Sequence, residues 1–274
     1  MRARASGFEA GPLSQRFHNA VTGIGSSGRA IPFGVAVGWE PTDQEVEDDL
    51  GLPLTPPPGA HGSPRIVEFA GYTWQVKASA GAVDPGPNHF IDSPDNVWVD
   101  DRGRLHLAIT DSEDRWNCAE VITTQSLGSG RYTFELDSDV SDLDPNVVLG
   151  LFTWSDDPAY NHREMDIEFS RWANAGDPTN GQYVVQPYDR IGNLQRIVQP
   201  PVASSAHSFD WQPDALTFRS STAMPSSWTY AGADRPQPGS EHVRINLWLY
   251  RGAPPTNGPS VEIIVKSFIF TAAR

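Results

Sequence analysis

Glu164-Met165-Asp166-Ile167-Glu168-Phe169 alternates an acid with an apolar residue through six positions. Side chains of a β-strand point to alternate faces, so this stretch reads as a strand. Glu164, Asp166 and Glu168 share one face, and Met165, Ile167 and Phe169 line the other, which is buried. Like charges in succession on a sheet face repel one another and normally destabilise it. A chain that carries three of them has a use for them. The plainer alternative is the solvated face of an amphipathic antiparallel strand. Solvated faces usually mix signs and include Thr, Ser or Lys, whereas Arg163 and Arg171, which flank this run, fall in the opposite parity.

Working outward, short strand-like segments recur from about residue 65 to the end. Tyr72–Lys77, Asn96–Val99, Leu105–Thr110, Ala119–Thr124, Arg131–Leu136 and Val147–Thr153 precede or lead to the acidic strand, read as Glu164–Ser170. Gln182–Pro187, Ala206–Trp211, Ala215–Ser220, Val243–Tyr250 and Val261–Thr271 follow it. Turn signals separate them, among them Asp101-Arg102-Gly103, Gly128-Ser129-Gly130, Asp144-Pro145-Asn146 and Gly176-Asp177-Pro178. Helical periodicity is nowhere sustained, and about a dozen strands without a helix imply an all-β, two-sheet sandwich. Val147–Phe152 and Ile263-Ile264-Val265 are continuous apolar runs, read as buried on both faces. Asn246, Trp248 and Tyr250 alternate with Ile245, Leu247 and Leu249, a pattern that can floor a groove.

Residues 1–64 differ. They hold Pro53, the run Pro56-Pro57-Pro58, Pro64 and the acidic stretch Asp43–Asp49, and read as an irregular, Pro-rich N-terminal extension. Phe33, Val35, Val37 and Trp39 alternate with Gly and Ala and predict one short strand there. Residues 65–274 form the main domain.

Of 274 residues, 38% are hydrophobic, enough for a large core, and 24 Gly, 24 Pro and nine Trp suit short strands and tight turns. The net charge of −14 argues against nucleic acid or an anionic membrane as partner, since both call for a basic patch. A neutral polysaccharide is compatible with it. Cys118 is the single cysteine, so no disulfide forms within the chain, and a half-buried strand position is expected for it. No apolar run approaches the roughly 20 residues of a membrane span. The basic start Met1–Gly7 is followed by no apolar h-region, so no signal peptide is visible.

Paired carboxylates are the equipment for cleaving glycosidic bonds, at about 5–5.5 Å for retention of configuration and 6.5–9.5 Å for inversion. Positions i and i+4 of a strand lie roughly 13 Å apart at the backbone, a gap that two Glu side chains leaning inward on a concave sheet can close. Three neighbouring carboxylates cannot all ionise cheaply, so at least one pKa is raised. Spacing alone does not say which Glu is the nucleophile and which the acid.

The acidic strand resembles the Glu-x-Asp-x-Glu motif of glycoside hydrolase family 16, the lichenases, laminarinases, agarases and xyloglucan-modifying enzymes. Asn96–Val99 with Gly103–Leu107, Cys118–Thr123 with Gly130–Phe134, His207–Trp211 and Asn246–Leu249 resemble further strands of that family. The resemblance covers residues 66–274. It implies a concanavalin-like β-jelly-roll sandwich of two antiparallel sheets with a concave substrate cleft, and a retaining endo-β-glycanase acting on a β-glucan. It further implies Glu164 as nucleophile, Glu168 as acid/base, Asp166 as the group that tunes both, and Glu120 as a substrate-contacting acid. The motif lacks the inserted residue of many laminarinases. A lectin-like binding module, a transglycosylase and a galactan-type hydrolase are the alternatives. A secreted monomer is implied, with no cofactor required. Structural calcium occurs in relatives of the fold, and the sequence assigns it no ligands.

Sugar rings stack their C–H faces on aromatic side chains. Trp116, Trp154, Trp172 and Trp228, near the motif or in loops, are the candidate platforms, while Trp74, Trp98 and Trp211 read as core or sheet-face residues. His162 lies two residues before Glu164 and in the same parity. Gln186, on the strand after the motif, is a candidate hydrogen-bond partner for a hydroxyl. No cluster has zinc-ligand spacing, and neither a Gly-x-Ser-x-Gly elbow nor a P-loop occurs.

Overall fold

Apolar residues at every second position, broken by Gly and Pro, specify strands and leave nothing for a helix to bury. The computed structural model describes residues 63–273 apart from 113–114, 223 and 259. Among them are sixteen strands and two short 3₁₀ turns, Asn161–Arg163 and Tyr250–Gly252. The Pro-rich extension, the acidic stretch and the strand expected around Phe33–Trp39 lie outside the described residues, Ser63 and Pro64 excepted.

The strands are β1 (Ile66–Phe69), β2 (Tyr72–Val76), β3 (His89–Phe90), β4 (Val97–Val99), β5 (Leu105–Ser112) and β6 (Arg115–Thr123). Then come β7 (Gly130–Leu136), β8 (Val147–Trp154), β9 (Met165–Phe169), β10 (Gly181–Val185) and β11 (Leu194–Ile197). The series ends with β12 (Ser205–Trp211), β13 (Leu216–Ser221), β14 (Ser226–Tyr230), β15 (His242–Leu249) and β16 (Val261–Ala272). Every strand read within residues 65–274 is present. The four not anticipated, β1, β3, β11 and β14, each pair on one side only. Short strands of that kind need no long apolar alternation, so their sequences look like loops.

Pairing runs β11-β10-β9-β8-β15-β6 and continues β5-β16-β7-β12-β13-β14. The first half is extended by β2 and β1 beyond β6, and the second by β4 beside β5. The halves are joined only where the ends of β5 and β6 form a hairpin, Thr110 to Ser112 against Asn117 to Arg115. Beyond that hairpin β5 and β6 part, β5 pairing with β16 and β6 with β15. The two-sheet sandwich expected from the sequence is thus two sheets on one continuous hydrogen-bonded path, antiparallel except for the two-residue β3, which lies parallel to β6.

Their inner faces meet through aromatic residues. Trp74 on β2 meets Phe268 on β16 edge-on, with ring centroids 5.5 Å apart. Phe169 on β9 packs against His207 on β12 at 4.7 Å, and Tyr183 on β10 stacks on Phe218 of β13 at 5.3 Å. Trp74 and Trp211 are core residues, as read, and each buried side chain of this size contributes at least roughly 1.5–3 kcal/mol. Val147–Phe152 is buried throughout, as expected of a central strand covered on both faces. Ile263-Ile264-Val265 is not: Ile264 is half-exposed, because the outer face of β16 is not covered. Cys118 is fully buried and not half-buried, because β6 is a central strand; its thiol donates to Asn88 Oδ1 at 3.3 Å, and burial pushes that thiol up to about 12.

Candidate active site

Because Met165, Ile167 and Phe169 are locked into the core, the acids of β9 must face outward from the first sheet. Cross-strand register then dictates their neighbours. Glu168 lies between Gln182 of β10 and Gly150 of β8, and the row continues through Asn246 of β15 to Glu120 of β6. On its other side the row passes from Gln182 to Arg196 of β11. Asp166 lies between Val184 and Phe152, followed by Arg244 and Ile122. Glu164 is extended, immediately before β9. Gln186 donates its backbone N–H to the Glu164 carbonyl at 3.3 Å, and Trp154 follows Thr153, the partner of Met165, so these two flank Glu164.

Gly150 keeps the floor beside Glu168 open. A Cβ there would come within 2.4 Å of Asn246 Oδ1, so only glycine lets the Asn246 side chain lie across this gap.

The electrostatics of the three acids are coupled. Asp166 is almost wholly buried, and burial, the charges of Glu164 and Glu168, and a hydrogen bond to Glu164 push it well above the usual carboxylate range. Gln186 Nε2, 3.5 Å from Asp166 Oδ2, pulls weakly the other way. A hydrogen bond that favours protonated Asp166 is one in which Asp166 donates and Glu164 accepts. Glu168 is half-buried and is also raised by desolvation. The 2.6 Å bond from Gln182 Nε2 to its Oε2 and the charge of Arg196 hold it back.

The segment before Glu164 is strained. Tyr160, Asn161, His162 and Arg163 all have φ between 50° and 57°, a left-handed turn of four non-glycine residues. Each costs roughly 1–2 kcal/mol, and such strain persists only where surroundings over-determine it. Arg163 supplies much of that restraint: its guanidinium donates to the Gln237 carbonyl (3.0 Å), Asp157 Oδ2 (2.9 Å) and Ser155 Oγ (3.4 Å). Thr153 Oγ1 donates to its carbonyl at 2.8 Å. Gly239 gives the guanidinium room, since a Cβ there would sit 2.2 Å from Nε. The turn lays the His162 ring on Trp154, 4.2 Å apart and 9° from parallel. His162 Nδ1 lies 2.9 Å from the Ser155 carbonyl, which only accepts, so Nδ1 carries the proton and a neutral ring keeps Nε2 as an acceptor. Strand parity placed His162 on the acidic face. The side chain arrives there by a left-handed turn instead.

The acidic face thus brings together Glu164, Asp166, Glu168, Trp154, His162 and Gln186. The other candidates stand elsewhere. Glu120 is on the same row, but its carboxylate is buried between Lys77 and Arg244, each at 3.1 Å, so it serves as an ion-pair anchor with no exposed oxygen for a sugar. Trp116 sits in the β5–β6 hairpin, packed against the core. Trp172 is buried, with the Arg196 guanidinium 4.3 Å over its ring. Trp228 is half-buried and stacks on Phe218 on the inner side of the second sheet, so it packs against the core and is not a platform on the acidic face. Gln182 and Arg196 were not singled out from sequence. Gln182 shares the parity of Gln186, which was a usable signal, whereas Arg196 lies on the unanticipated edge strand β11. Among the described residues no group of three or more His, Cys, Asp and Glu side chains is placed to hold a metal ion, so no calcium ligands are assigned. No helix among them is long and apolar enough to cross a membrane.

No protein-family model and no curated protein sequence matches the chain. Solved structures do. A Bacillus licheniformis β-glucanase superposes with a TM-score of 0.58 at 19% identity, over 78% of this chain and 100% of that one. A pseudo β-1,3-glucanase and immunostimulatory antigen of Mycobacterium tuberculosis gives 0.54 at 21%, over 73% and 91%. A Bacteroides ovatus GH16 protein of a mixed-linkage-glucan locus, in complex with a G4G4G3G product, gives 0.54 at 11%, over 72% and 94%. The chain has the β-glucanase jelly-roll fold. The all-β sandwich expected from the acidic strand outward is therefore found.

Proposed function

We propose that this chain is a retaining endo-β-glycanase of glycoside hydrolase family 16, acting on a β-glucan. The observation that carries the reading is the placement of three acids on one sheet face, where burial and the charges of Glu164 and Glu168 push Asp166 well above the usual carboxylate range and favour its donating to Glu164. As the acceptor of that bond, Glu164 is the carboxylate that attacks the anomeric carbon, forming a glycosyl ester as the bond to the leaving sugar breaks. Glu168, raised by burial, carries the proton that the leaving oxygen takes. Its Oε2 accepts from Gln182, so the transferable proton is carried on Oε1. In the second step Glu168, now ionised, takes a proton from water, which displaces the sugar from Glu164. The Trp154–His162 pair offers an aromatic platform beside Glu164, and Asn246 an amide beside Glu168. The fold shared with β-glucanases supports a glucan as substrate.

The neighbour described as a pseudo β-1,3-glucanase gives a second reading some weight: a jelly roll that binds glucan without cleaving it. Lichenan, laminarin, xyloglucan and agarose, tested side by side for products and for binding, separate the two. The proposal expects oligosaccharides from at least one β-glucan, released in the β configuration by proton NMR. Glu164→Gln and Glu168→Gln should each cut the rate at least about a hundredfold with the fold intact. Binding without product across the panel, or wild-type rates in both variants, would overturn it.

A further inference from the structure

Beside Glu168 runs a chain of contacts that the two-carboxylate reading does not use. Gln182 Nε2 donates to Glu168 Oε2 at 2.6 Å, and Arg196 Nη1 donates to Gln182 Oε1 at 3.1 Å. A guanidinium only donates, so it can face only the carbonyl end of the amide. The amide's NH₂ end is thereby turned toward Glu168 and cannot flip. Arg196 is itself gripped on three sides: Nη2 donates to Asp177 Oδ2 at 3.0 Å, Nε donates to Thr179 Oγ1 at 2.8 Å, and the plane lies over Trp172. Asp177 is fixed in turn, accepting from the backbone N–H of Thr179 at 2.8 Å and from its hydroxyl at 2.6 Å.

We propose that Arg196 is a positioning residue for the acid/base: by holding the Gln182 amide in one orientation it keeps a donor on Glu168 Oε2 and confines the exchanging proton to Oε1. This rests on the reading of Glu168 as acid/base. The loop residues Trp172, Asp177 and Thr179 are then the mount of a tuning device, which explains why a buried tryptophan lies beside the site without being a sugar platform. The charged groups facing Glu168 are Asp166 on its own strand, Glu164 immediately before that strand, and Arg196 with Asp177 beyond β10. The Arg244–Glu120–Lys77 cluster stands two to four strands away on the other side, and Gly150 and Asn246 between are neutral. Arg196 is therefore the nearest cation in the row, and burial of Glu168 is opposed chiefly from that side.

The test uses Arg196→Met, with Gln182→Met as the second variant. The second leaves the clamp on Trp172, Asp177 and Thr179 in place should the first fail to fold. Each should move the alkaline limb of the pH–rate profile upward by about one pH unit, since the carboxylate loses a donor that favours its charged form. kcat should fall while KM stays within twofold. A merely structural role would lower the melting temperature and raise KM without moving the limb. Titration of the Glu168 side-chain carboxyl by ¹³C NMR, assigned with Glu168→Gln, reads the same shift without any turnover. A wild-type protein inactive on every glucan would sink the hydrolase reading, while an upward-shifted Glu168 titration in the variants would still uphold the relay. Unmoved Glu168 titrations in folded variants would overturn the relay whatever the activity.

Discussion

Replacing Asp166 by Asn should stabilise the protein near neutral pH while lowering kcat. The substitution is nearly isosteric. An Asn amide at this position donates to Glu164 as the Asp166 hydroxyl does, and its carbonyl accepts from Gln186. What disappears is the titration. Asp166 is raised in the folded protein by burial and by Glu164 and Glu168, while its unfolded value is about 3.9. Between those two values the folded state keeps a proton that the unfolded state has released. Stability therefore falls with rising pH, by about 1.4 kcal/mol per pH unit for one proton. The contribution is fully present below about pH 4 and is lost as pH rises through the folded value. Glu168 is raised too, but by burial that the substitution leaves in place, so its titration cancels and the difference between wild type and variant is one proton's worth. The carboxylates held low by hydrogen bonds, such as Asp177 and Asp210, titrate alike in both proteins and cancel. Urea unfolding at half-unit steps from pH 4.5 to 8 measures this directly. The free-energy difference, wild type minus Asp166→Asn, should descend with a slope of about −1.4 kcal/mol per unit until the folded value is reached. Parallel curves, or a variant less stable at every pH, would refute the claim that Asp166 is held protonated.

Two further outcomes follow from other parts of the fold. Arg163→Met should release the left-handed turn and let Glu164 shift, lowering kcat by about a hundredfold while costing only about 1–3 kcal/mol of stability; steady-state kinetics beside thermal melts check this, and equal kcat would refute it. His207 is buried between Ser205 and Ser220, and burial drops its pKa to about 3. A lowered base is neutral in the fold when the unfolded chain takes up a proton, so its contribution is fully present above about pH 6.5 and lost as pH falls toward 3, on the order of 5 kcal/mol in all. His207→Gln should flatten that acid limb even though it lowers stability at pH 7, and urea unfolding at pH 4, 5, 6 and 7 would show an unchanged limb if the reasoning is wrong.

The acidic strand was legible because period two fixes faces without any knowledge of partners. Once Met165, Ile167 and Phe169 are inside, the three acids have nowhere else to point. The fate of Glu120 was not legible. Its neutralising partners, Lys77 and Arg244, stand 43 and 124 residues away, and only register across β2, β6 and β15 brings them together. Trp228 shows the same limit: its face is set by pairing with Phe218, and the sequence around it alternates in either sense. The left-handed turn at Tyr160–Arg163 carries no glycine, the residue by which such backbone is ordinarily recognised. Its restraints, Arg163 to Gln237 and the space at Gly239, come from a loop more than seventy residues later. Arg196 lies on a four-residue edge strand whose only pairing is to β10.

The two glutamates are held by different kinds of device, and the difference bears on their roles. Glu164 is placed by backbone: a strained turn locked by Arg163 precedes it, a core strand follows it, and Asp166 donates to it from within the same strand. A nucleophile needs that fixity, because it must meet an anomeric carbon along one line and hold a covalent sugar afterwards. Glu168 is held by side chains, through a neutral amide donor backed by a cation. An acid/base must lose and regain a proton in every cycle. A donor on one oxygen steadies the carboxylate when it forms without forbidding the acid on the other oxygen. Exchanging the roles would put the fixed group where proton exchange is needed and the tunable group where position is needed. The supports around the two residues, and not their spacing along the strand, are what favour Glu164 as nucleophile and Glu168 as acid/base.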